Sequence, residues 1–251
     1  MDKNKIASEF RDEGYVAQRG FLSEADLEIL NENLGHFIAE KLHELPKEHV
    51  FYEDKECPET LKQIQQLYTY DPYFESLMIG SRFEALAKCV LQDEVVPKNM
   101  QYFNKAPSVG LPTPPHQDGY YFNLTPCEAV TIWLALDDVD EENGCVHYAA
   151  RSHELGLLPH DRTNTLGFSQ GLRDQSICAN PDTDIPCHAK PGDLLAHHAL
   201  TVHWAGGNTS MTRTRRALGF IYYAASAQED ADAHKAYQAT LANEMNRAGK
   251  I

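Results

Sequence analysis

The sequence has no apolar run long enough to cross a membrane, and it has few basic residues for its size. Among its 251 residues, 22 Lys and Arg stand against 37 Asp and Glu, which gives a formal net charge of −15. Nucleic acids and anionic membrane surfaces attract basic proteins, so this balance argues against both as partners. No signal-peptide pattern follows Met1, and we therefore expect a cytoplasmic protein. We expect it to be a monomer or a homodimer.

Cysteine pairs of the metal-binding or redox kind are also missing. The six cysteines are irregularly spaced and none forms C-x-x-C: Cys57, Cys89, Cys127, Cys145, Cys178 and Cys187. Their spacing matches neither a zinc finger nor a disulfide framework, which indicates reduced thiols. A chain of this length can bury enough apolar surface to fold without such covalent support.

The first 95 residues or so have the pattern of helices. Ser23 is a candidate N-cap with Asp26 three residues later, and apolar residues follow at helical spacing: Leu27, Leu30, Leu34 and Phe37. A second helix is predicted from a similar set: Phe83, Leu86, Ala87 and Val90. Two strand-like segments, 15–17 and 94–96, are expected to join the main sheet.

From about residue 96 the pattern becomes that of strands. Residues 130–136 predict a strand with two different faces. One face carries Val130, Ile132, Leu134 and Leu136, and the other carries Thr131 and Trp133. The Asn143-Gly144 pair predicts a hairpin, residues 191–193 a turn, and residues 217–223 the last clear strand. Residues 161–188 lack periodicity, which is typical of a lid or a substrate wall.

These patterns predict one domain over residues 1–251, mainly β with flanking helices. The predicted fold is a jelly roll, that is, a cupin-like double-stranded β-helix. We expect a helical N-terminal part over about 1–95, the jelly-roll core over about 96–226, and a C-terminal surface helix over about 228–248.

The triplet His116-Gln117-Asp118 is the first candidate site. Residues i and i+2 of a strand point to the same side, so an imidazole and a carboxylate can meet one metal ion. His203, at the end of a predicted strand, is the candidate third ligand. Two His and one carboxylate form the facial triad of non-haem Fe(II) oxygenases. The alternative for the triplet alone is a hydrogen-bonded surface pair.

An arginine follows the distal histidine at the start of the last strand. A guanidinium grips a carboxylate with two hydrogen bonds and stays charged when partly buried. Arg215 is therefore the candidate anchor for the far carboxylate of a 2-oxo acid that chelates the metal. Strand parity leaves Arg216 open as the anchor, and a solvated basic cluster with Arg213 is the other alternative.

The chain resembles the phytanoyl-CoA dioxygenase family of Fe(II)/2-oxoglutarate oxygenases over roughly residues 9 to 226. The resemblance rests on an ordered series of short motifs: Gly14-Tyr15-Val16, Gly20-Phe21-Leu22-Ser23, Asn104-Lys105-Ala106-Pro107, His116-Gln117-Asp118, Trp133, Asn143-Gly144-Cys145, Ser152-His153, Pro191-Gly192-Asp193, His198, His203, Asn208 and Arg215-Arg216-Ala217. Where the family usually has a small pair after the distal His, this chain has Trp204-Ala205.

The resemblance implies a jelly roll with Fe(II) held by His116, Asp118 and His203. It implies 2-oxoglutarate anchored by Arg215, with three further residues lining its pocket: Gln101, Thr131 and Trp133. O₂ would be the second co-substrate, ascorbate would support turnover, and a small molecule would be hydroxylated with release of succinate and CO₂. Relatives that halogenate replace the metal carboxylate with a small residue, so Asp118 favours hydroxylation.

Several residues beside these motifs are candidates for substrate contact: Tyr120, Tyr121, Asn123, His160 and Arg162. Of the two histidines before the distal ligand, His198 is expected to support the metal ligands, and His197 to be structural or exposed.

Three other functions remain open. A zinc hydrolase could use the same His, Asp and His, but it would not need Arg215. A non-catalytic jelly-roll binding protein could retain the fold, although three intact candidate ligands argue against it. A dioxygenase acting on protein side chains would need an open peptide groove.

Overall fold

The computed structural model describes residues 2–165, 168–232, 235–236 and 239–240. Its α-helices within these residues are α1 (Lys3–Glu13), α2 (Glu24–Glu40), α3 (Leu67–Tyr70), α4 (Pro72–Met78), α5 (Arg82–Leu91) and α6 (Gly119–Phe122). Short 3-10 helices cover Leu42–Glu44, Lys47–His49, Pro58–Thr60, Ser152–Leu155 and Ser176–Ala179. None of the helices in this described part is long and apolar enough to span a membrane.

The strands form two main antiparallel sheets. In chain order they are β1 (Tyr15–Gln18), β2 (Val50–Tyr52), β3 (Leu61–Ile64), β4 (Val95–Lys105), β5 (Thr113–His116), β6 (Leu124–Thr125), β7 (Ala129–Ala135), β8 (Val146–Ala149), β9 (His160–Thr165), β10 (Phe168–Leu172), β11 (Asp184–Cys187), β12 (Leu194–His198), β13 (His203–Ala205), β14 (Arg215–Ala224) and β15 (Gln228–Glu229). The larger sheet has the order β1-β12-β7-β14-β4-β3-β2 and the smaller one β11-β8-β13-β5. Strands β9 and β10 form a separate hairpin, and β15 pairs with β6.

The larger sheet has a different core on each face, as the alternation in β7 predicts. Val130, Ile132 and Leu134 belong to the core shared with the helices, where the rings of Phe83 on α5 and Phe220 on β14 stack 4.1 Å apart. Trp133 faces the other way and joins a second core with residues of the smaller sheet. Two antiparallel sheets packed in this way form the predicted jelly roll.

The two predicted helices are confirmed as α2 and α5. Ser23 caps α2 by accepting a hydrogen bond from the backbone N–H of Asp26. The carboxylate of Asp26 does not complete a capping box, because it lies 3.3 Å from Arg82 Nη1 on α5. The apolar residues at helical spacing are buried, as in Leu30 and Leu34, so the periodicity identified the right face.

Several predictions about the connections are wrong. The Asn143-Gly144 turn does not join paired strands, because β7 lies in the larger sheet and β8 in the smaller one. Residues 161–188 are not a long loop, since they contain the β9–β10 hairpin and β11. The N-terminal part is less helical than expected, because β1, β2 and β3 all extend the larger sheet.

The predicted C-terminal helix begins later than expected. Gln228 and Glu229 form β15, which pairs with β6. Residues 231–232, 235–236 and 239–240 are helical, and the rest of the predicted helix lies outside the described residues. The C-terminal segment therefore first adds a short strand beside the region that follows α6.

Candidate metal centre and its cavity

The three predicted metal ligands meet where the edge strand β5 of the smaller sheet pairs with β13. His116 ends β5 and lies opposite His203, the first residue of β13. Asp118 follows two residues after His116, in helical conformation (φ −59°, ψ −34°) rather than in the strand. One potential ligand atom from each residue lies within 4.8 Å of the others. The carboxylate therefore reaches the two imidazoles through the turn into α6 and not through strand alternation.

Both histidines present the nitrogen that a metal needs. His116 Nδ1 lies 2.8 Å from the carbonyl oxygen of Pro114, and His203 Nδ1 lies 3.1 Å from that of Thr201. A carbonyl only accepts, so each Nδ1 carries a proton, and Nε2 is the ring nitrogen that faces the site of the metal. Burial, with the nearby His116 and His197, lowers the pKa of His203 well below its usual range, which favours the neutral ligand form.

Asp118 is held in place by its second oxygen. The Thr131 hydroxyl donates to Asp118 Oδ2 at 2.5 Å, and His197 Nε2 lies 3.2 Å from the same oxygen. Tyr148 Oη lies 2.9 Å from His197 Nδ1. Burial raises the pKa of Asp118, but His203, His116 and His197 outweigh it and bring the pKa well below its usual range. An ionised oxygen, Oδ1, then faces His116 Nε2 at 3.5 Å and His203 Nε2 at 3.7 Å.

The expectation for the two histidines before His203 is reversed by the structure. His197 lies opposite Thr131 in the β12–β7 register and contacts the metal carboxylate. His198 instead lies 3.2 Å from Glu128 Oε2 and accepts from the backbone N–H of Leu200. Alternation along β12 required one of the pair to face the site, and only the register with β7 decides which one.

The candidate ligands open into a cavity of about 700 Å³ between the sheets. Its walls include the triad and all four residues predicted for the co-substrate: Gln101, Thr131, Trp133 and Arg215. A cavity of this size is in the usual range for small-molecule sites. The structure thus brings the metal ligands and the predicted co-substrate residues into one space.

Arg215 and Arg216 have different partners. Arg216 donates to both carboxylate oxygens of Asp137, at distances that include 2.7 Å. Arg215 is buried, and its guanidinium carbon lies 5.5 Å from the centre of the Trp133 ring. Its Nε has no hydrogen-bond partner within the part of the chain that the structure describes. Burial lowers the pKa of Arg215 to about 10, so it is still a cation at neutral pH. Of the two arginines, Arg215 is therefore the one available to a ligand.

Of the predicted substrate residues, only Tyr121 lines this cavity. Its hydroxyl donates to the carbonyl of Gln170 on the β9–β10 hairpin. His160 is buried and accepts from the backbone N–H of Gln117, beside the ring of Tyr120. It therefore positions the backbone between His116 and Asp118. Asn123 ends α6 in left-handed conformation, and Arg162 is exposed on β9.

A group of charged and amide side chains on the cavity wall was not predicted from the sequence. These are Glu53, Lys62, Gln63, Lys98, Lys105 and Glu229. Lys105 lies directly opposite Arg215 in the β4–β14 register. The one sequence signal for Lys105 was its place beside Asn104 in the motif Asn104-Lys105-Ala106-Pro107. Lys62 lies on β3, a four-residue strand with no periodic pattern to reveal it.

Trp204, the unusual residue after the distal ligand, also lines the cavity. Its ring stacks on that of His147, with centroids 5.4 Å apart. The large side chain thus occupies part of the wall beside His203, where a small residue would leave room.

Known proteins share this architecture. The structure resembles the epimerase SnoN in complex with Fe3+, alpha ketoglutarate and nogalamycin RO, with a TM-score of 0.72 and 23% identity over 90% of this chain and 85% of that one. It also resembles EvdO2 of Micromonospora carbonacea var. aurantiaca complexed with 2-oxoglutarate, with a TM-score of 0.71 and 25% identity over 90% of this chain and 92% of that one. These likenesses confirm the jelly-roll fold.

The curated relatives include proteins named as dioxygenases. The chain is 26% identical over 196 residues to phytanoyl-CoA dioxygenase 1 of Oryza sativa subsp. japonica, covering 74% of this chain but only 64% of that protein. It is 25% identical over 225 residues to a probable alpha-ketoglutarate-dependent hypophosphite dioxygenase of Stutzerimonas stutzeri, covering 87% of this chain and 77% of that protein.

The family model described as phytanoyl-CoA dioxygenase (PhyH) matches residues 10–217. This range contains β1 to β13, the three candidate metal ligands and Arg215, and it confirms the resemblance seen in the sequence motifs. The chain belongs to the phytanoyl-CoA dioxygenase family.

Proposed function

We propose that the chain is an Fe(II)- and 2-oxoglutarate-dependent dioxygenase that hydroxylates a small molecule and releases succinate and CO₂. The observation that carries this proposal is the shared cavity of the His116, Asp118 and His203 cluster and the buried Arg215. A metal site alone fits many reactions. A buried guanidinium in the same cavity, with no acidic partner among the described residues, adds a place for the far carboxylate of a 2-oxo acid.

The donor set fits iron. Two imidazoles and one carboxylate on one side of a metal leave the other positions open, as non-haem Fe(II) oxygenases require. Fe(II) bound there with 2-oxoglutarate supplies oxidative decarboxylation of the co-substrate and oxidation of a substrate C–H bond by O₂. His116, Asp118 and His203 would hold the metal, and Arg215, stacked on Trp133, would orient the 2-oxoglutarate.

Hydroxylation is the outcome that the carboxylate favours. Asp118 fills the third ligand position and is fixed there by Thr131 and His197, which leaves no vacancy at that position for a halide. The solved relatives include proteins described as an epimerase and a carbocyclase, so the products of the reaction have to be identified directly.

The first experiment measures succinate. Metal-free protein receives Fe(II), ascorbate and 2-oxoglutarate under air, and succinate is followed by mass spectrometry in the wild type and in His116→Ala and Arg215→Met. Arg213→Met is the matched control, because Arg213 lies outside the cavity and pairs with Asp140 and Glu142. We expect slow succinate formation in wild type and control, none in His116→Ala, and a strong reduction in Arg215→Met.

A parallel anaerobic measurement covers an enzyme that waits for its substrate. Fe(II) and 2-oxoglutarate bound together give a weak visible charge-transfer band, which does not need turnover. If the wild type shows neither the band nor succinate, the proposal is wrong. Zinc-dependent activity without 2-oxoglutarate would then support the hydrolase alternative.

A further inference from the structure

Amide side chains form one stretch of the cavity wall, on β3, on β4 and in the turn that follows β3. Five of them line the cavity: Gln63, Gln65, Gln66, Asn99 and Gln101. Their backbone is fixed, because β3 pairs with β4 and the backbone N–H of Gln66 donates to Asn99 Oδ1 at 2.9 Å. These five residues are called the amide wall below.

One pair of glutamines in the amide wall leaves hydrogen-bonding groups unused. Gln63 Nε2 donates to Gln101 Oε1 at 2.8 Å, and Gln63 Oε1 is buried without a hydrogen-bond partner among the described residues. A single bond between two amides leaves a carbonyl on one and N–H groups on the other, whichever way the two amides are turned. An unpaired buried carbonyl is costly, and a ligand that donates to it removes that cost.

The turn after β3 adds further donors and acceptors. Gln65 is partly buried at the cavity, and its side chain makes no hydrogen bond to any other residue that the structure describes. Gln66 has left-handed backbone (φ 60°, ψ 28°), which is uncommon for a residue with a long side chain. This turn ends β3 and keeps two consecutive glutamines at the cavity.

The charged side chains beside the amide wall are paired with each other. Lys98 Nζ lies 2.5 Å from Glu229 Oε2, and Lys62 Nζ lies 3.0 Å from Glu53 Oε1. These two ion pairs leave hydrogen bonding, rather than charge, as the means by which the amide wall selects a ligand. Burial of a charged group against uncharged amides is costly, whereas a neutral polar group finds its partners there.

An aromatic ring lies beside the amides. Phe103 follows Gln101 by two residues on β4, and it lies opposite Gln63 in the β3–β4 register. The ring is partly exposed at the cavity and lies over Gly219 of β14, where a Cβ would come within 2.8 Å of the ring carbon Cε2. An aromatic ring next to hydrogen-bonding amides suits a ligand that has apolar C–H groups on its face and hydroxyl groups at its edge.

The strand register places the amide wall at the level of the metal centre but to one side of it. Asn99 lies opposite Ile221 of β14, and Ile221 lies opposite Thr131, which donates to the metal carboxylate. Strand β4 is two strands from β7 and β3 is three, which is about 10 and 14 Å across the sheet. Arg215 is on β14, next to β7. A cavity of about 700 Å³ therefore leaves room for a substrate at the amide wall, beside 2-oxoglutarate.

We propose that the amide wall is the recognition site for an uncharged polyhydroxylated ring compound, a sugar or a glycoside. This inference rests on the proposed dioxygenase function and names its substrate class. A ring hydroxyl both donates and accepts, so it pairs with the carbonyl that Gln63 leaves over and with the N–H groups of Gln101. The C–H groups of the ring pack against Phe103, and the opposite edge of the ring extends towards the three metal ligands.

The test measures binding without turnover. Protein loaded anaerobically with Fe(II) and 2-oxoglutarate is titrated calorimetrically with the methyl glycosides of glucose, galactose, mannose, xylose and rhamnose, in both anomeric forms. Tetrahydropyran-2-methanol is the comparator without ring hydroxyls, and methyl glucuronide and methyl glucosaminide are the charged comparators. We expect at least one neutral glycoside to bind, and all three comparators to bind at least about tenfold more weakly.

Variants separate recognition from a structural effect. Gln63→Met and Gln65→Met should each weaken binding of that glycoside by about three- to tenfold and leave the affinity for 2-oxoglutarate unchanged. Gln65→Met should also leave the Tm unchanged, because this side chain has no hydrogen bond to lose among the described residues. Gln18→Met on β1 is the matched control, since Gln18 lies outside the cavity and its amide donates to the carbonyl of Ala17.

Three results would overturn the inference. They are the absence of binding by any of the glycosides, equal or tighter binding of a comparator, and wild-type affinity in both Gln63→Met and Gln65→Met. Absence of the charge-transfer band of Fe(II) and 2-oxoglutarate in the wild type is a different failure, because it removes the dioxygenase function itself and this inference with it.

Discussion

The two ends of the cavity differ in how their polar side chains are satisfied. At the metal end, Asp118 is hydrogen-bonded by Thr131 and His197, and both ligand imidazoles are oriented by carbonyls. At the Arg215 end, some polar atoms have no hydrogen-bond partner within the described residues. Five buried side-chain atoms in the described residues lack a hydrogen-bond partner, and four belong to cavity residues: Lys62 Nζ, Gln63 Oε1, Asn104 Oδ1 and Arg215 Nε.

This difference indicates two kinds of preorganisation. Metal ligands must be held in one geometry before the ion arrives, so their remaining hydrogen bonds are made within the protein. A site for a polar organic ligand instead keeps donors and acceptors for the ligand, at the cost of leaving them unpaired without it. Arg215 Nε illustrates this, since it is buried and has no hydrogen-bond partner within the described residues, whereas Lys62 Nζ lies 3.0 Å from Glu53 Oε1 in a buried ion pair.

The largest expected effect comes from breaking the metal end. Asp118→Asn keeps the shape of the side chain but removes the charge that faces His116 and His203. Changes in groups that only support metal ligands cost about ten- to a hundredfold in metal affinity, so loss of a ligand charge should cost at least about a hundredfold. Equilibrium dialysis with Fe(II) under nitrogen measures it.

Asp161→Asn is the control for that experiment. Asp161 is exposed on β9 and paired with Arg173, so its neutralisation changes the net charge equally without touching the cavity. Similar iron affinity in Asp118→Asn and Asp161→Asn would show that Asp118 is not a ligand.

Arg215→Met is expected to act in opposite directions on binding and on stability. The affinity for 2-oxoglutarate should fall by about ten- to a hundredfold, because a hydrogen bond between charged groups contributes about 1.5–3 kcal/mol. The apparent Tm of the metal-free protein should rise, because the change replaces a buried cation with an unpaired Nε by an apolar side chain of similar length. Calorimetric titration and thermal unfolding measure the two effects.

The same pair of measurements on Arg213→Met provides the comparison, since that arginine has acidic partners at the surface. A fall in Tm for Arg215→Met would mean that the guanidinium of Arg215 makes its hydrogen bonds within the protein. The two ends of the cavity would then not differ in how their polar side chains are paired.

Thr131→Val is the matching change at the metal end. Valine has the shape of threonine but cannot donate to Asp118 Oδ2. The free energy of unfolding of the metal-free protein should fall by about 1.5–3 kcal/mol, since the lost hydrogen bond is to a charged group. Urea unfolding measures this. An unchanged or higher stability would show that Asp118 is not held by the protein before the metal binds.

Local patterns predicted much of the fold, because periodicity is a property of short segments. Helices α2 and α5 and the two faces of β7 followed from the spacing of apolar residues, and His116, Asp118 and His203 followed from motif spacing and family resemblance. The cavity residues that were not predicted from the sequence depend on the register between strands that are distant in the chain. His197 faces the site because it lies opposite Thr131, and Lys105 joins it because it lies opposite Arg215.

The other missed features come from short elements. Strands β2 and β3 have three and four residues, too few to show alternation, although they bring Glu53 and Lys62 to the cavity wall. The Lys98–Glu229 pair joins residues 131 positions apart, and no local pattern indicates such a contact. Both cases show that the wall residues of a jelly roll depend on sheet closure, which is a long-range property.

The last expected effect concerns Lys105 and pH, and it is the smallest when it is expressed per pH unit. Burial, with Arg215 and Lys62 nearby, lowers the pKa of Lys105 well below its usual value of 10.5. Between the lowered and the usual pKa, the unfolded chain holds a proton that the folded protein has released, so the free energy of unfolding should rise with pH in that range. One such group contributes at most about 1.4 kcal/mol per pH unit.

Lys105→Met should reduce this rise, whatever its effect on absolute stability through the lost contact with Thr113. Urea unfolding between about pH 7 and pH 10 gives the slope. Lys88→Met is the control, because its exposed ion pairs raise the pKa of Lys88 and so place its titration above that range. Equal slopes in wild type and Lys105→Met would show that Lys105 keeps its proton in the fold. The Arg215 end would then carry a second full positive charge, and it would suit a ligand with more than one negative group better than the single carboxylate proposed for it.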